Sequence, residues 1–427
     1  MNVAVLHARE RVSPPTALFS LALALSLGTG LALRSPLLLG IGALAAAAVT
    51  LRAAPELSLV LLASEGTLKS LYPFTELPAD LLIVTLALTV WSCWVMTQRH
   101  GLPRVPWTAA LFLVISTLLV VAVIRSSLPG ATTKGIYFEI VPLVLFFAPF
   151  MLVRDLDALT RLSLAFIVVG LIVVHATSAS ADPSEPYTLP GGSEITAALF
   201  PAFGALAAVT CVALRARGRW RLVFFVLGGV LAAAAARAGS RGVLLALLGA
   251  ALLGAILLIA QSRRPMLTLA LIALIALGIA EAGRQVVGPT ALSRYARLTN
   301  DPRRGYLHTR ALEQALAHPL GNGVGTFGLN LPVINPRPAV PYPHNVALEV
   351  FNESGIFALG ALVALVAAAA LAALRVARHP GAAFCAVGLA FALLEAFASG
   401  NVTDDSLLWM TLGIALAISA SSAASDG

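Results

Sequence analysis

The sequence predicts an all-α polytopic membrane protein of about 12–14 transmembrane helices with one large loop outside the membrane. Three observations predict this fold class. Hydrophobic residues make up 59% of the 427 residues and charged residues only 11%, whereas soluble domains carry about 25% charged residues. The apolar residues fall in runs close to the ~20 residues that a spanning helix needs. All but one of the connections between the runs are short.

Thirteen apolar runs qualify as candidate spans. They lie at 16–33, 36–52, 78–97, 107–125, 135–153, 159–176, 194–214, 219–237, 241–261, 265–283, 346–374, 381–398 and 406–421. The segment 54–75 is ambiguous, because its apolar first half is followed by Glu65 and Lys69.

The arginines predict the orientation, because short cytoplasmic loops of membrane proteins are enriched in Lys and Arg. Short basic connections lie at 98–104, 153–161, 215–221, 261–265 and 375–380, whereas the alternate connections 177–193 and 399–405 contain no Arg or Lys. We therefore assign the first set to the cytoplasm and the second set to the outside. Parity then requires 54–75 to cross, which gives about 14 spans, or about 12 if some runs are re-entrant.

The composition also excludes other classes of protein. The net charge of +8 does not indicate nucleic-acid binding, because the arginines occupy loops between apolar runs, as membrane topology requires. Cys93, Cys211 and Cys385 lie inside apolar runs without the spacing of metal ligands, so we interpret them as small core residues. We expect no metal or other cofactor.

The long connection divides the chain into three parts. These are an N-terminal transmembrane bundle (1–283), a loop with short helices (284–345) and the C-terminal transmembrane helices (346–427). Parity places the loop outside. Its arginines are Arg284, Arg294, Arg297, Arg303, Arg304, Arg310 and Arg337. A long loop is exempt from the positive-inside rule, but its basic character requires a functional reason.

Local patterns predict the structure within this loop. Leu307, Leu312 and Leu316 recur at helical spacing, which predicts a helix over 303–317 that ends before His318-Pro319. We expect the glycine-rich run GNGVGTFG to be flexible. The five prolines of 332–343 predict a stiff, extended segment that leads into the next span.

The entrance to that span carries chemically useful residues. His344 and Asn345 stand at its start, and Glu349 and Glu353 follow on the same helical face as Asn345. A charge at the centre of a bilayer costs about 2.5–3.5 kcal/mol, so we expect Glu353 to face protein or water.

Arginines are predicted at the same level of the bilayer. Arg237 and Arg241 flank the tight outer turn RAGSR. The planar fork of arginine matches phosphate oxygens, and exclusion of water strengthens the contact. Arginines beside a histidine at the outer surface therefore suit a lipid-linked diphosphate donor and a proton acceptor.

Three motifs together resemble the O-antigen ligase/polymerase superfamily, over roughly residues 190–420. They are SRG (240–242) opening a span, RGYLHTRALEQALAHPLGNGVGTF (304–327) in the loop and HNVALEVFNESG (344–355) entering the next span. The resemblance implies a helical bundle similar to other lipid-donor glycosyltransferases. It also implies a location in the inner membrane of a Gram-negative bacterium, with the active site and the large loop on the periplasmic side.

The resemblance also implies roles for particular residues. His344 matches the histidine of the family's HN element and would take the proton from the acceptor hydroxyl. Arg241 matches the arginine of SRG, and Arg304 matches the arginine that opens the loop helix; both would hold the diphosphate. Arg303 is the alternative to Arg304, because His308 stands where an aromatic residue usually follows. The transfer would be inverting and independent of metal and of nucleotide sugars.

Further candidate substrate-binding residues complete the predicted site. They are Arg237 beside the SRG motif, Asn345 after the histidine, and Glu353, which would position the acceptor or an arginine.

The leading functional hypothesis is O-antigen ligase. Such an enzyme joins undecaprenyl-diphosphate-linked O-antigen to a sugar of lipid A–core during lipopolysaccharide biosynthesis. Polymerases of the superfamily usually carry two arginine-bearing periplasmic loops, and the segment 176–194 contains neither Arg nor Lys. Its partners would be this donor, this acceptor and membrane lipids, with no nucleic acid.

Other hypotheses stay open at this point. Within the superfamily they are an O-antigen or exopolysaccharide polymerase and a protein O-glycosyltransferase. In a different class is a transporter of lipid-linked glycans, which is expected to show internal repeats and ionisable residues near the bilayer midplane.

Overall fold

A computed structural model describes residues 51–71, 80–128, 130–178, 194–261, 266, 302–331, 342–379 and 381–425. All regular structure in these ranges is helical. The runs predicted at 16–33 and 265–283, and most of 36–52, lie outside the described residues, apart from Met266. The same holds for the first part of the predicted loop and for the proline-rich residues 332–341.

The helices are numbered here in chain order. The first group comprises α1 Leu57–Ala63, α2 Glu65–Lys69, α3 Leu81–His100, α4 Ala110–Arg125, α5 Ala131–Leu152, α6 Leu156–Ser178 and α7 Glu194–Ala207. A π-helical turn, Ala208–Val212, continues α7 to Arg215. The second group comprises α8 Arg219–Arg237, α9 Arg241–Gln261, α10 Pro302–Ala317, α11 Val346–Ser354, α12 Ile356–Val376, α13 Ala383–Ala398 and α14 Ser406–Ser425.

Eight helices in the described part of the chain are long and apolar enough to cross a bilayer. Seven of them coincide with the runs predicted between 78 and 261, and the eighth is α12. Helix α13 is apolar but has only 16 residues, and the apolar stretch of α14 covers Ser406–Ser422. The prediction of an all-helical, multi-pass membrane protein is therefore confirmed at this level.

Two predicted spans differ from the structure. The described part of 54–75 forms α1 and α2, with 7 and 5 residues, so neither helix alone reaches the length of a span. The run 346–374 is divided at Gly355, whose φ of +88° is open mainly to glycine. Only its second part, α12, has the length of a span, and α11 precedes it as a separate short helix.

An aromatic cluster forms the centre of the core. The rings of Phe112 and Phe146 stack with centroids 4.6 Å apart, and Trp409 meets Phe112 edge-on at 5.3 Å. The indole N–H of Trp409 donates to the carbonyl oxygen of Val402 at 3.0 Å. A buried indole needs such a partner, so the cluster also anchors the connection between α13 and α14.

Helices α9 and α13 pack closely and antiparallel through glycines. A Cβ on Gly249 would come 2.5 Å from a Leu394 methyl group, and one on Gly254 would come 3.4 Å from Val387. Small residues allow two helix backbones to approach in a membrane. The start of α9 therefore lies beside the end of α13.

The helix predicted over 303–317 is confirmed as α10, but its buried face differs from the prediction. Leu307, Ala311 and Ala315 are buried, whereas Leu312 and Leu316 are exposed. The spacing of the buried residues follows the helical repeat. The leucine pattern does not reveal this face, because its buried residues include the small alanines. Their small side chains allow α10 to pack closely on α11.

The glycine-rich run 321–328, which we predicted to be flexible, makes defined contacts in the structure. Three of its glycines have positive φ. The backbone N–H groups of Asn322 and Gly323 donate to the carbonyl oxygens of Asn352 and Glu353 at 2.8 and 3.0 Å. The glycines permit this close approach of two backbones.

The same run is also attached to the N-terminal bundle. The Arg125 guanidinium donates to the carbonyl oxygens of Leu320 and Gly321 at 2.7 and 3.0 Å. The Ser126 hydroxyl donates to the carbonyl oxygen of Val324 at 2.8 Å. The end of α4 therefore holds the loop against α11.

Substituting Gly355 tests the division between α11 and α12. A Cβ at Gly355 would lie 2.6 Å from the carbonyl carbon of Leu320, and the backbone there is left-handed. We expect Gly355→Ala to lower the free energy of unfolding by about 2–4 kcal/mol. The measurement is thermal unfolding in detergent. Gly360→Ala, in open space on α12, is the control and should be neutral or slightly stabilising. Equal effects of the two substitutions would contradict this account.

Candidate functional site

The three sequence motifs meet at the C-terminal end of helix α13. The last carbonyl groups of a helix have no partner within the helix. Here the side-chain amide of Asn345 donates to the carbonyl oxygen of Phe397 at 2.8 Å. The guanidinium of Arg304 donates to the carbonyl oxygen of Ala398 at 2.7 Å. The histidine motif and the loop helix are thus attached to adjacent carbonyls.

The SRG motif reaches the same place. A Cβ on Gly242 would lie 3.0 Å from the Ser399 hydroxyl oxygen and 3.4 Å from the Ala398 Cβ. Arg241 is the first residue of α9, so it begins the helix turn that contacts α13. Arg237 is the last residue of α8 and is joined to α9 by a short turn, so it lies at the same end of the bundle.

His344 has an unusual backbone. Its φ is +56°, and it is the only non-glycine residue with positive φ in the described ranges. For an L-residue this conformation costs about 1–2 kcal/mol. The imidazole lies against the ring of Tyr342, with centroids 4.0 Å apart. Such strain persists where surrounding contacts impose it, and it is common at functional sites.

The neighbours of His344 hold it in place. Asn345 is the N-cap of α11, and its side-chain oxygen accepts a hydrogen bond from the Leu348 N–H at 3.0 Å. Because its amide also donates to α13, Asn345 fixes the chain on both sides of the cap. Burial, followed by the negative charge of Glu349, raises the pKa of Tyr342, so this phenol stays neutral beside the imidazole.

A buried ion cluster lies below this site. The Lys134 ammonium contacts Glu349 and lies 2.8 Å from Glu353. Both carboxylates are almost fully buried, with exposed fractions of 1% and 2%. The second oxygen of Glu349 accepts from the Val402 N–H, and Glu353 accepts from the Gly325 N–H, both at 2.8 Å. One lysine of α5 thus joins α11 to the glycine-rich run and to the α13–α14 connection.

The structure therefore separates the predicted site residues into two groups. Arg241, Arg304, His344 and Asn345 lie at the C-terminal end of α13, and Arg237 ends α8 at the same end of the bundle. Glu353 faces protein, as expected, but it is bound to Lys134 and to the glycine-rich run. Arg303 lies in α10, and its side chain is outside the described part of the structure.

Sequence reasoning missed two contributors. Lys134 escaped notice because it stands just before a predicted apolar run, although it is one of only two lysines in the chain. Glu395 stands near the end of the predicted run 381–398, where no local pattern marks it. It is buried, it accepts a hydrogen bond from the Ser399 hydroxyl at 2.5 Å, and its carboxylate is attracted by Arg304.

The chain has no match among models of known protein families, and no curated protein matches it either. The chemistry of the site must therefore be argued from its own residues.

The arrangement combines cationic groups with one titratable base. Guanidinium groups present several N–H donors in a plane, so a bond from Arg304 to one carbonyl is compatible with a second, anionic partner. Arg241 stands at the N-terminus of α9, where the helix adds partial positive charge. Within the described ranges, no group of three or more His, Cys, Asp or Glu side chains is arranged to hold a metal ion.

Removing the lysine of the ion cluster should destabilise the fold. Lys134→Met leaves Glu349 and Glu353 buried without their cation, and breaking a buried pair costs about 3–5 kcal/mol. Thermal unfolding in detergent measures the loss. The control is Lys69→Met, which removes an exposed pair with Asp80 at 3.5 Å and should cost about 0–1 kcal/mol. If both variants lost the same small amount, Lys134 would not hold these elements together.

The strain at His344 gives a separate prediction. His344→Gly and His344→Ala both remove the imidazole, but only glycine adopts positive φ without steric cost. We expect the glycine variant to be more stable than the alanine variant by about 1 kcal/mol. Comparison of their unfolding midpoints provides the test. A more stable alanine variant would show that His344 is not strained.

Proposed function

We propose that this protein is a metal-independent, inverting glycosyltransferase that acts as an O-antigen ligase. It would transfer a polysaccharide from undecaprenyl diphosphate to a sugar hydroxyl of lipid A–core. The observation that carries the proposal is the meeting of the SRG, loop-helix and HN motifs at one helix end. Residues separated by about 40 to 160 positions in the sequence contribute to this site, and capping the end of α13 does not by itself require a histidine.

The proposed reaction is a single displacement. The acceptor oxygen attacks the anomeric carbon of the donor glycan from the face opposite the diphosphate. The new C–O bond forms as the bond from the anomeric carbon to the phosphate oxygen breaks, and the electron pair of that bond leaves with the diphosphate. His344 takes the proton of the acceptor hydroxyl, so the products are the inverted glycoside and undecaprenyl diphosphate.

The arginines would supply the electrostatic part of catalysis. Negative charge develops on the phosphate oxygen that was bonded to the anomeric carbon as the diphosphate leaves. Guanidinium groups placed beforehand stabilise such charge more effectively than water, because they need not reorganise. In the proposal Arg241 and Arg304 have this role, Arg237 adds positive charge, and Asn345 and Arg304 keep the site aligned with α13.

The position of the site favours an enzyme over a transporter. The arginines, His344 and Glu395 lie towards one end of the helices, whereas transporter sites lie near the bilayer midplane. Near the opposite end of α13 lies Arg215, at the end of the continuation of α7. It pairs with Asp157 and packs on Gly381, just before α13 begins. Since basic connections face the cytoplasm, the proposal places the end of the bundle that contains His344 on the periplasmic side of the inner membrane. The proposal keeps the expected 12–14 spans.

Absence of basic residues in the other outer connection favours ligase activity over polymerase activity. Residues 176–194 contain no Arg or Lys, so a second cationic site for a growing lipid-linked chain is not provided there.

Transfer in vitro from undecaprenyl-diphosphate glycan to lipid A–core tests the proposal. His344→Asn removes the base but suits positive φ, because asparagine is enriched in that conformation. We expect the rate of transfer to fall by about 10²–10⁴-fold, the usual contribution of a general base. Glycan attached to lipid A–core is the readout.

Matched variants on the loop helix separate function from folding. Arg304→Ala should abolish most of the transfer. Arg310→Ala on the same helix removes a surface arginine that pairs with Glu313 at 2.8 Å and should leave the rate near that of the unmodified chain. Undiminished transfer by His344→Asn would refute the proposed base. Longer glycans left on the lipid carrier would identify a polymerase instead.

A further inference from the structure

A cavity of about 420 Å³ adjoins the arginine–histidine site. It lies between the α1–α2 turn, α5, the start of α7 and the α13–α14 connection. Its volume falls within the range of ~300–1,000 Å³ that is typical of small-molecule sites. Tyr342, which contacts the imidazole of His344, forms part of its wall, as do Glu395 and Ser399 at the end of α13.

The wall of the cavity is acidic. Glu65, Glu395, Asp404 and Asp405 line it, and none of the described residues that line it is Lys or Arg. Ionised carboxyl groups around a concave surface focus a negative potential inside it, and a bound cation favours their ionised form. The cavity therefore favours ligands with positive charge or many hydrogen-bond donors, and it disfavours anions.

One oxygen of these carboxyl groups lacks a partner. Asp405 is 7% exposed, and its Oδ2 has no hydrogen-bond partner among the described residues. Burial, followed by the negative charge of Glu395, holds the pKa of Asp405 well above its usual range. Buried polar atoms in native proteins are nearly always satisfied. The oxygen itself is buried against Gly400, so a donor group on a ligand would satisfy it only after the Asp405 side chain rotates towards the cavity.

Aromatic and hydroxyl side chains complete the wall. Tyr137, Phe200 and Tyr342 contribute ring surfaces, and Thr196 and Ser406 contribute hydroxyl groups. The apolar faces of sugar rings pack on aromatic rings, and their hydroxyl groups pair with polar side chains. This combination fits a saccharide better than a simple cation.

We propose that the cavity is the acceptor subsite and that it binds a saccharide carrying a free amino group. The ammonium group would lie against Asp404 and Asp405, with the sugar ring on the face of Tyr342. An acceptor bound there is directed towards His344, because Tyr342 and the imidazole are in contact. The assignment as an acceptor subsite rests on the proposed function, whereas the binding preference does not.

Binding of small saccharides by the full-length chain in detergent tests the proposal. The probes are methyl glucosaminide, which carries an ammonium group, and methyl N-acetylglucosaminide, which does not. Titration calorimetry at low salt should show binding of the first to be at least about tenfold tighter, as expected for a hydrogen bond between charged groups. Ethanolamine, an amine without a ring, should bind more weakly than methyl glucosaminide.

Variants localise the binding. Asp405→Asn and, separately, Asp404→Asn should remove most of the preference for the amine. Asp404 is exposed, so its substitution is expected to leave folding intact, and unfolding midpoints check both variants. The control is Asp157→Asn, which makes the same change at the opposite end of α13 and should keep the preference.

The outcomes separate this proposal from the proposed function. The subsite would be overturned if the two glucosaminides bound with equal affinity or if ethanolamine bound as tightly as methyl glucosaminide. It would also be overturned if both cavity variants kept the preference for the amine. Amine-selective binding by a chain that transfers no glycan would refute the glycosyltransferase and keep a saccharide site. Normal transfer to lipid A–core without any preference for an amine would support the glycosyltransferase and refute the amino-saccharide subsite.

Discussion

The ion cluster of Lys134, Glu349 and Glu353 is the interaction on which the rest of the site depends. Burying charges is costly unless they are paired and hydrogen-bonded. Here both carboxylates are paired with the lysine, and each also accepts a backbone N–H, from Val402 and Gly325. The low dielectric of the interior makes any displaced partner expensive, so the relative positions of these four segments are tightly constrained.

This constraint determines where the histidine lies. Glu349 and Glu353 lie on one face of α11, so their pairing with α5 fixes the rotation and height of that helix. His344 directly precedes its N-cap. Asn345 is attached to α13, and the backbone of His344 directly before it has positive φ. The strained residue thus lies beside two independent anchors.

The end of α13 collects polar groups for a general reason. A helix that ends inside a protein must find donors for its last carbonyl groups, and Asn345 and Arg304 provide them. The connection that follows carries Asp405, whose Oδ2 is left without a protein partner in the described structure. Departures from the usual rules of stability thus gather at one place, which is characteristic of functional sites.

The helical class follows from the sequence, because the length and periodicity of apolar segments are local properties. The sequence also predicts α10 and the position of His344 before α11, because helix caps and prolines mark where helices begin and end. Tertiary structure alone decided the break at Gly355, the burial of Ala311 in place of Leu312 and the attachment of Glu353 to a lysine. The last of these joins residues 219 positions apart. No local pattern encodes such a pairing, since it exists only once α5, α11 and the glycine-rich run enclose the same small volume.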